Sequence, residues 1–198
     1  MPFDPQPVVL EGTHVRLEPL TVDHAEALFA AADHPEVWRF LRFPRPQNAG
    51  DMHRFIETAL ANQAAGGEIP FATVHRESGR PAGSTRLMDI RREHRALEIG
   101  WTWIGKDYQR SAVNTEAKFL MLRHAFETLS AVRVCLKADA RNERSLRAIE
   151  RIGATREGVL RNHMTLLDGY VRDSVYFSII DREWPAVKAR LETMLART

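Results

Sequence analysis

From Leu97 to Gly105 the chain reads Leu-Glu-Ile-Gly-Trp-Thr-Trp-Ile-Gly, followed by Lys106 to Arg110 and then Ser111-Ala112-Val113-Asn114-Thr115-Glu116-Ala117-Lys118. An apolar strand pattern, a short loop with small residues and a helix start follow in order. The free amides and dipole of such a helix start favour a phosphate group, although a plain strand-to-helix connection would give the same local pattern. Glu98 is a lone carboxylate in this apolar strand, facing opposite to Leu97, Ile99 and Trp101. A carboxylate shielded there has a raised pKa and can accept a proton, directly or through water. It can equally face solvent or pair with an arginine, and Arg95 is close in sequence.

A second block runs Lys137-Ala138-Asp139-Ala140-Arg141-Asn142-Glu143-Arg144-Ser145-Leu146-Arg147-Ala148-Ile149-Glu150-Arg151-Ile152-Gly153-Ala154. Asn142 either caps a helix or presents an amide that donates and accepts at once. Ser145 then carries a hydroxyl in the first helical turn. Arg110 and Arg151, taken singly, read as solvated surface residues. His163 is a weaker candidate for a base, and Cys135, alternating with Val134 and Leu136, reads as an inert packing residue.

These groups need elements to hold them. Thr13 to Leu20 alternates as a half-buried strand, and Thr21 caps a helix with Ala25, Leu28, Phe29 and Ala32 on one stripe. His34 to Gln47 holds three prolines among Trp38, Phe40, Leu41 and Phe43, the composition of a segment that walls a pocket. Asn48 or Asp51 opens a second helix, stopped by Gly66-Gly67. Phe71 to Arg76, Gly83 to Ile90 and Leu97 to Ile104 form an antiparallel meander. Thr115 to Leu129 is a helix apolar on nearly all sides, hence buried against a sheet. Val132 to Ala138 is a strand and Ser145 to Ile152 a helix. Two strands joined across Asp168-Gly169 and a helix capped by Asp181 complete the order β-α-α-β-β-β-α-β-α-β-β-α. That order predicts an α/β fold, a mixed sheet covered by helices.

The two blocks, in this order, resemble those of the GNAT superfamily of acyl-CoA-dependent N-acyltransferases, and most closely its RimJ/RimL-like branch. Gln109 falls on the first position of that family's Q/R-x-x-G-x-G/A loop, with Ala112 and Asn114 where glycines are commoner. Asn142 and Ser145 match the branch's N-x-x-S, Gly153-Ala154 its helix end, and Arg156-Glu157-Gly158 the residues that often follow. The resemblance implies a mostly antiparallel central sheet with helices on both faces, and acetyl-CoA as acyl donor substrate with no metal. It implies that Gln109, Arg110, Ser111, Ala112, Val113, Asn114 and Thr115 cradle the pyrophosphate. Trp103, Ile104 and Asn142 would meet the pantetheine arm, and Arg110 or Arg151 the nucleotide phosphates. Many relatives place an acidic tyrosine where this chain has Ile149; in the RimJ/RimL-like branch a serine near the sulfur substitutes, and Ser145 matches it. The implied reaction moves an acetyl group onto a primary amine, a protein N-terminus or a small molecule. The rival reading is an acyl-CoA-binding sensor or partner domain without turnover.

The rest of the chain bounds the answer. Its 198 residues, 44% hydrophobic and 27% charged, fit one domain over 1–198, with residues 1–12 expected to be irregular. The 28 Lys and Arg against 26 Asp and Glu leave a formal charge of +2, spread without a basic stripe, which argues against nucleic-acid binding despite a pI near 8.9. No apolar run approaches bilayer length and no secretory leader pattern opens the chain, so the expectation is a cytoplasmic protein away from membranes. The single Cys135 excludes an intramolecular disulfide and no zinc-type spacing is present. Trp38 to Phe43 and Val175 to Ile180 are apolar segments able to support a homodimer.

Overall fold

Alternating Val15 and Leu17 bury their side chains completely while Arg16 faces water, and this half-buried pattern recurs along a sheet whose strands the structure, a computed structural model, places in one layer. Residues 3–32 and 34–197 are described. Among them the strands are β1 (Leu10–Glu11), β2 (Val15–Pro19), β3 (Glu68–His75), β4 (Arg80–Arg91), β5 (Ala96–Ile104), β6 (Arg133–Asp139), β7 (Thr155–Thr165) and β8 (Val171–Ile180). Their spatial order is β1-β2-β3-β4-β5-β6-β8-β7, with every neighbouring pair antiparallel except β5 and β6. The helices are α1 (Ala25–Ala31), α2 (Pro35–Trp38), α3 (Ala49–Ala64), α4 (Ala112–Arg123), α5 (Glu143–Arg151) and α6 (Trp184–Leu195).

Two apolar cores lie on the two sides of this sheet. Leu28 of α1, Val37 and Trp38 of α2, and Met52, Phe55 and Ile56 of α3 meet Ala72, Val74 and Trp103 on one side. Val113, Ala117, Leu120 and Met121 of α4, Ile149 of α5 and Trp184, Val187 and Leu191 of α6 meet Leu87, Leu97, Ile99 and Leu136 on the other. The predicted mixed sheet with helices on both faces is therefore the observed one.

Several details differ from what the sequence predicts. The first dozen residues are not wholly irregular, because Leu10–Glu11 pairs with β2 and Phe3 is buried in the α4 core. The long helix starts at Ala112 rather than Thr115, and its last turn, His124–Thr128, widens to π geometry. Single 3₁₀ turns, Val22–His24 and Asp181–Glu183, precede α1 and α6 where caps at Thr21 and Asp181 were expected. Asn48, not Asp51, caps α3, its side chain accepting from the Asp51 amide at 2.9 Å. In the segments expected to serve a dimer, Trp38, Val175, Phe177 and Ile179 are spent on the chain's own cores, so they carry no case for one.

Two irregularities set the shape of the sheet centre. Ser84 faces Trp103 and Arg86 faces Gly100, so Thr85 alone opposes both Trp101 and Thr102; this is a β-bulge, with Trp101 at φ 50°. The bulge turns Trp101 to the α3 side, where it meets Phe55 and the guanidinium of Arg86, itself paired with Glu68 at 2.7 Å. Trp101 thus shares a face with Glu98, contrary to strict alternation. The second irregularity is the β5–β6 pair, which holds only at Ala96 with Arg133, Leu97 with Val134 and Glu98 with Cys135. Past Glu98 the strands part, β5 staying with β4 and β6 with β8.

Candidate active site

The parting of β5 and β6 opens a cleft of about 1080 Å³. Its walls come from the outer half of β5, the loop 105–111, the start of α4, the end of β6, α5, and the segment containing Glu36, Phe40 and Arg42. The proline-rich segment expected to wall a pocket does so. Of the residues singled out in the sequence, Glu98, Trp103, Ile104, Gln109, Arg110, Ser111, Ala112, Asn114, Thr115, Asn142, Ser145 and Arg151 all line this one cleft. Val113 does not; its side chain is buried in the core.

Local chemistry fixes the loop and helix start. Ser111 Oγ accepts from the Val113 amide at 3.3 Å and donates to the Tyr108 carbonyl at 2.6 Å, capping α4 at the cleft. Arg110 takes φ 63° beside it. Gln109 Nε2 donates to the Ile104 carbonyl at 2.9 Å, and Arg144 donates to Gln109 Oε1 at 2.6 Å, so this side chain ties the end of β5 to the start of α5. Asn142 caps α5, its Oδ1 accepting from the Ser145 amide at 3.1 Å. Arg151 donates to Thr115 Oγ1 at 2.8 Å across the gap between the two helices. With Lys106, Arg110, Arg144 and Arg147 also on the wall, the α4 end of the cleft is cationic, a site fit for phosphates.

At the vertex of the parting the ionisable groups are enclosed. Glu98 is 3% exposed, and its Oε2 accepts from Lys137 Nζ at 2.7 Å. Burial pushes its carboxyl up, while the Lys137 ammonium pulls it back down. The partner is thus a lysine from β6 rather than Arg95, which stands exposed at the turn before β5. Lys118 of α4 is 7% exposed and donates to Thr102 Oγ1 on β5 at 2.6 Å. Burial lowers its pKa to about 7 against the opposing attraction of Glu98. Ser145 is half-buried on the cleft wall, and Ile149, one turn on, is an apolar core residue. His163 is not in the cleft lining but lies beside it: it faces a second hollow with Val159 and Asp173, and its ring meets Ser174 Oγ at 2.9 Å and Tyr176 Oη at 3.2 Å. Burial, then Lys137 and Arg172, hold its pKa down. Burial pushes the half-buried Cys135 thiol up, as expected of an inert residue.

Sequence reasoning missed Lys118, Lys137, Arg172 and Thr102. Lys118 had a local signal, a cation in a helix otherwise apolar on nearly all sides. The other three acquire meaning only when β5, β6 and β8 come together.

Residues 14–155 match the family model of the acetyltransferase (GNAT) domain. The Bacillus subtilis (strain 168) protein named "Putative ribosomal N-acetyltransferase YdaF" is 34% identical over 110 residues, 56% of this chain and 59% of that protein, so the match spans under two thirds of that relative. The crystal structure of a GCN5-related N-acetyltransferase from Brucella melitensis superposes with a TM-score of 0.91 at 32% identity, covering 97% of this chain and 87% of that one. Mycobacterium smegmatis RimJ, in complex with CoA-disulfide, shares the fold at 19% identity with a TM-score of 0.83 over 98% and 96% of the two chains. A cleft at parted strands, a capped helix start and a family match across both blocks agree: this chain belongs to the GNAT acetyltransferase family.

Proposed function

We propose that the chain transfers an acetyl group from acetyl-CoA to a primary amine in one direct step. The observation that carries this reading is the convergence of β5, the 109–115 helix start and the Asn142–Ser145 turn on a single cleft with a cationic end. A thioester donor lying along the parted strands fits that cleft: the α4 start and the arginines of α5 suit the pyrophosphate and nucleotide phosphates, and the Trp103–Ile104 backbone and Asn142 suit the pantetheine arm. The RimJ structure with a CoA adduct supports the donor's identity.

The chemistry balances with the residues present. A protonated amine cannot attack, so Glu98, whose buried carboxyl has a raised pKa and is bonded to Lys137, takes its proton directly or through water. The nitrogen lone pair attacks the thioester carbonyl carbon, the new C–N bond forms as the C–S bond breaks, and the surplus proton on the acylated nitrogen passes through the Ser145 hydroxyl to the departing thiolate, leaving CoA thiol and an unchanged serine. Ile149 cannot serve as that acid.

A panel of peptides, amino acids, polyamines and other small amines incubated with acetyl-CoA, followed by mass spectrometry, tests the reading. The expected product is about 42 Da heavier than its amine, the mass of an acetyl group replacing a proton, with stoichiometric free CoA. A folded protein that binds acetyl-CoA and releases no CoA with any amine would instead be the sensor domain.

A further inference from the structure

Arg172, on β8, is 7% exposed and lines the cleft. Among the described residues its guanidinium makes no hydrogen bond, its enclosed Nε has no partner, and no carboxylate lies within ion-pair distance of it. A buried arginine in that condition is costly: desolvation pulls its pKa down, and a planar fork of five donors stands unused. Both carboxylates near enough to act on it are already engaged. Asp139 accepts from the Arg141 amide at 2.9 Å and from the Arg141 guanidinium at 3.1 and 2.9 Å. Glu98 accepts from Lys137.

The surroundings add to the excess of positive charge. Lys137 and Arg42 share this part of the cleft wall with Arg172, and the carboxylates that act on it are Glu98 and Asp139. The donor's phosphates do not account for it, because the arginines suited to them, Arg144, Arg147 and Arg151, belong to α5 beside the α4 start, whereas Arg172 lies electrostatically beside Glu98 at the reacting end.

We propose that Arg172 anchors an anionic oxygen group on the acceptor, so that the amine acetylated here carries a carboxylate or a phosphate ester a few bonds from its nitrogen. The proposal rests on the acetyl-transfer reading and names the acceptor class for it. The fork pairs with such a group in two parallel N–H···O bonds, leaving the amine directed at Glu98. A polyamine, cationic along its length, meets repulsion in the same place.

Matched acceptors test this without any substitution: an amino acid against its carboxamide, phosphoethanolamine against ethanolamine, and spermidine as the polyamine. The expected result is a preference of about 10²-fold or more in kcat/KM for the acid member of at least one pair, because a buried donor set left unpaired rejects the neutral analogue. The pair that shows it tells carboxylate from phosphate. Arg172→Gln should remove most of that preference while acetyl-CoA affinity stays unchanged, and Arg172→Lys, which keeps the charge and loses the fork, should restore only part of it. Calorimetry of the same pairs on the CoA-loaded protein reads the preference even without turnover. Equal use and equal binding of acid and neutral members, spermidine preferred over both, or loss of acetyl-CoA affinity in Arg172→Gln would each overturn the proposal. Turnover without acid preference defeats the acceptor class alone; acid binding without turnover with any amine defeats the transferase reading alone.

Discussion

Lys118 Nζ is bonded to the Thr102 hydroxyl with no carboxylate in ion-pair range among the described residues, and its pKa of about 7 lies far below the ordinary 10.5. The folded state therefore favours the neutral amine. Between about 7 and 10.5 the unfolded chain binds more protons, so this group makes stability rise with pH through that window and penalises folding most below it. Lys118→Met, which fills the same volume without charge, should raise stability by up to on the order of 4 kcal/mol below neutrality, with the gain shrinking toward pH 10.5. Urea melts of both proteins across that range check it; a gain independent of pH would show that packing, not protonation, sets the difference. At Glu98 the raised pKa sets a different window. Glu98→Gln should depress turnover most between the carboxyl's own pKa and that of the amine, where wild type has its base and the amine still carries a proton. Below the carboxyl pKa both proteins lack the base, and above the amine pKa neither needs it. A pH-rate profile with a constant ratio would assign Glu98 to positioning. Glu98 was legible in the sequence because a carboxylate interrupts an apolar strand. Its lysine partner was not, since the pairing depends on where β6 lies, 39 residues away.

At the scale of elements, α4 does more than present its first turn to the cleft. Glu116, 5% exposed, accepts from the Thr13, His14 and Val15 amides at 2.8, 2.6 and 2.7 Å, fastening the start of β2 to the far side of the chain. Gly12 leaves room for this latch: a Cβ there would come within 2.5 Å of the Glu116 carboxyl carbon and would make the carboxylate shift from its three amides. Glu116→Ala strands three amides, with Val15 wholly buried, and should cost roughly 3 kcal/mol or more, measured as a lower urea midpoint with the slope retained. A loss below about 1 kcal/mol would mean water satisfies those amides. Strand and helix identities were readable from periods of two and 3.6. The bulge at Trp101 was not, because one extra residue reverses every later side chain and leaves the local composition unchanged. Gly83 hints at it only once the pairing is known: a Cβ there would lie 2.1 Å from the Trp103 carbonyl oxygen.

At the scale of the molecule, the alternation of element types made the layer architecture legible, and two short blocks carried the family. The β5–β6 pairing stops after Glu98 and joins strands 37 residues apart in the chain, Glu98 with Cys135, which no local pattern encodes. A ligand held across that parting stabilises the native state by about 2.7 kcal/mol at a hundredfold excess over Kd. Acetyl-CoA should accordingly raise Tm by roughly 5 to 10 °C at that excess, and Ala112→Trp, placed to block approach to the α4 amides, should abolish the shift. An equal shift in the folded variant would move the donor site elsewhere. The parting also has a mechanical side. Beyond Glu98 the sheet carries two inner edges, and the halves on either side are sewn together by three residue pairs. A donor whose own amides reach both edges would act as a missing strand, so loading would stiffen the seam itself. Amide hydrogens of residues 100–104 and 136–139 that face the gap would then exchange with solvent freely in the empty protein and slowly in the loaded one, making the substrate a temporary part of the sheet that binds it.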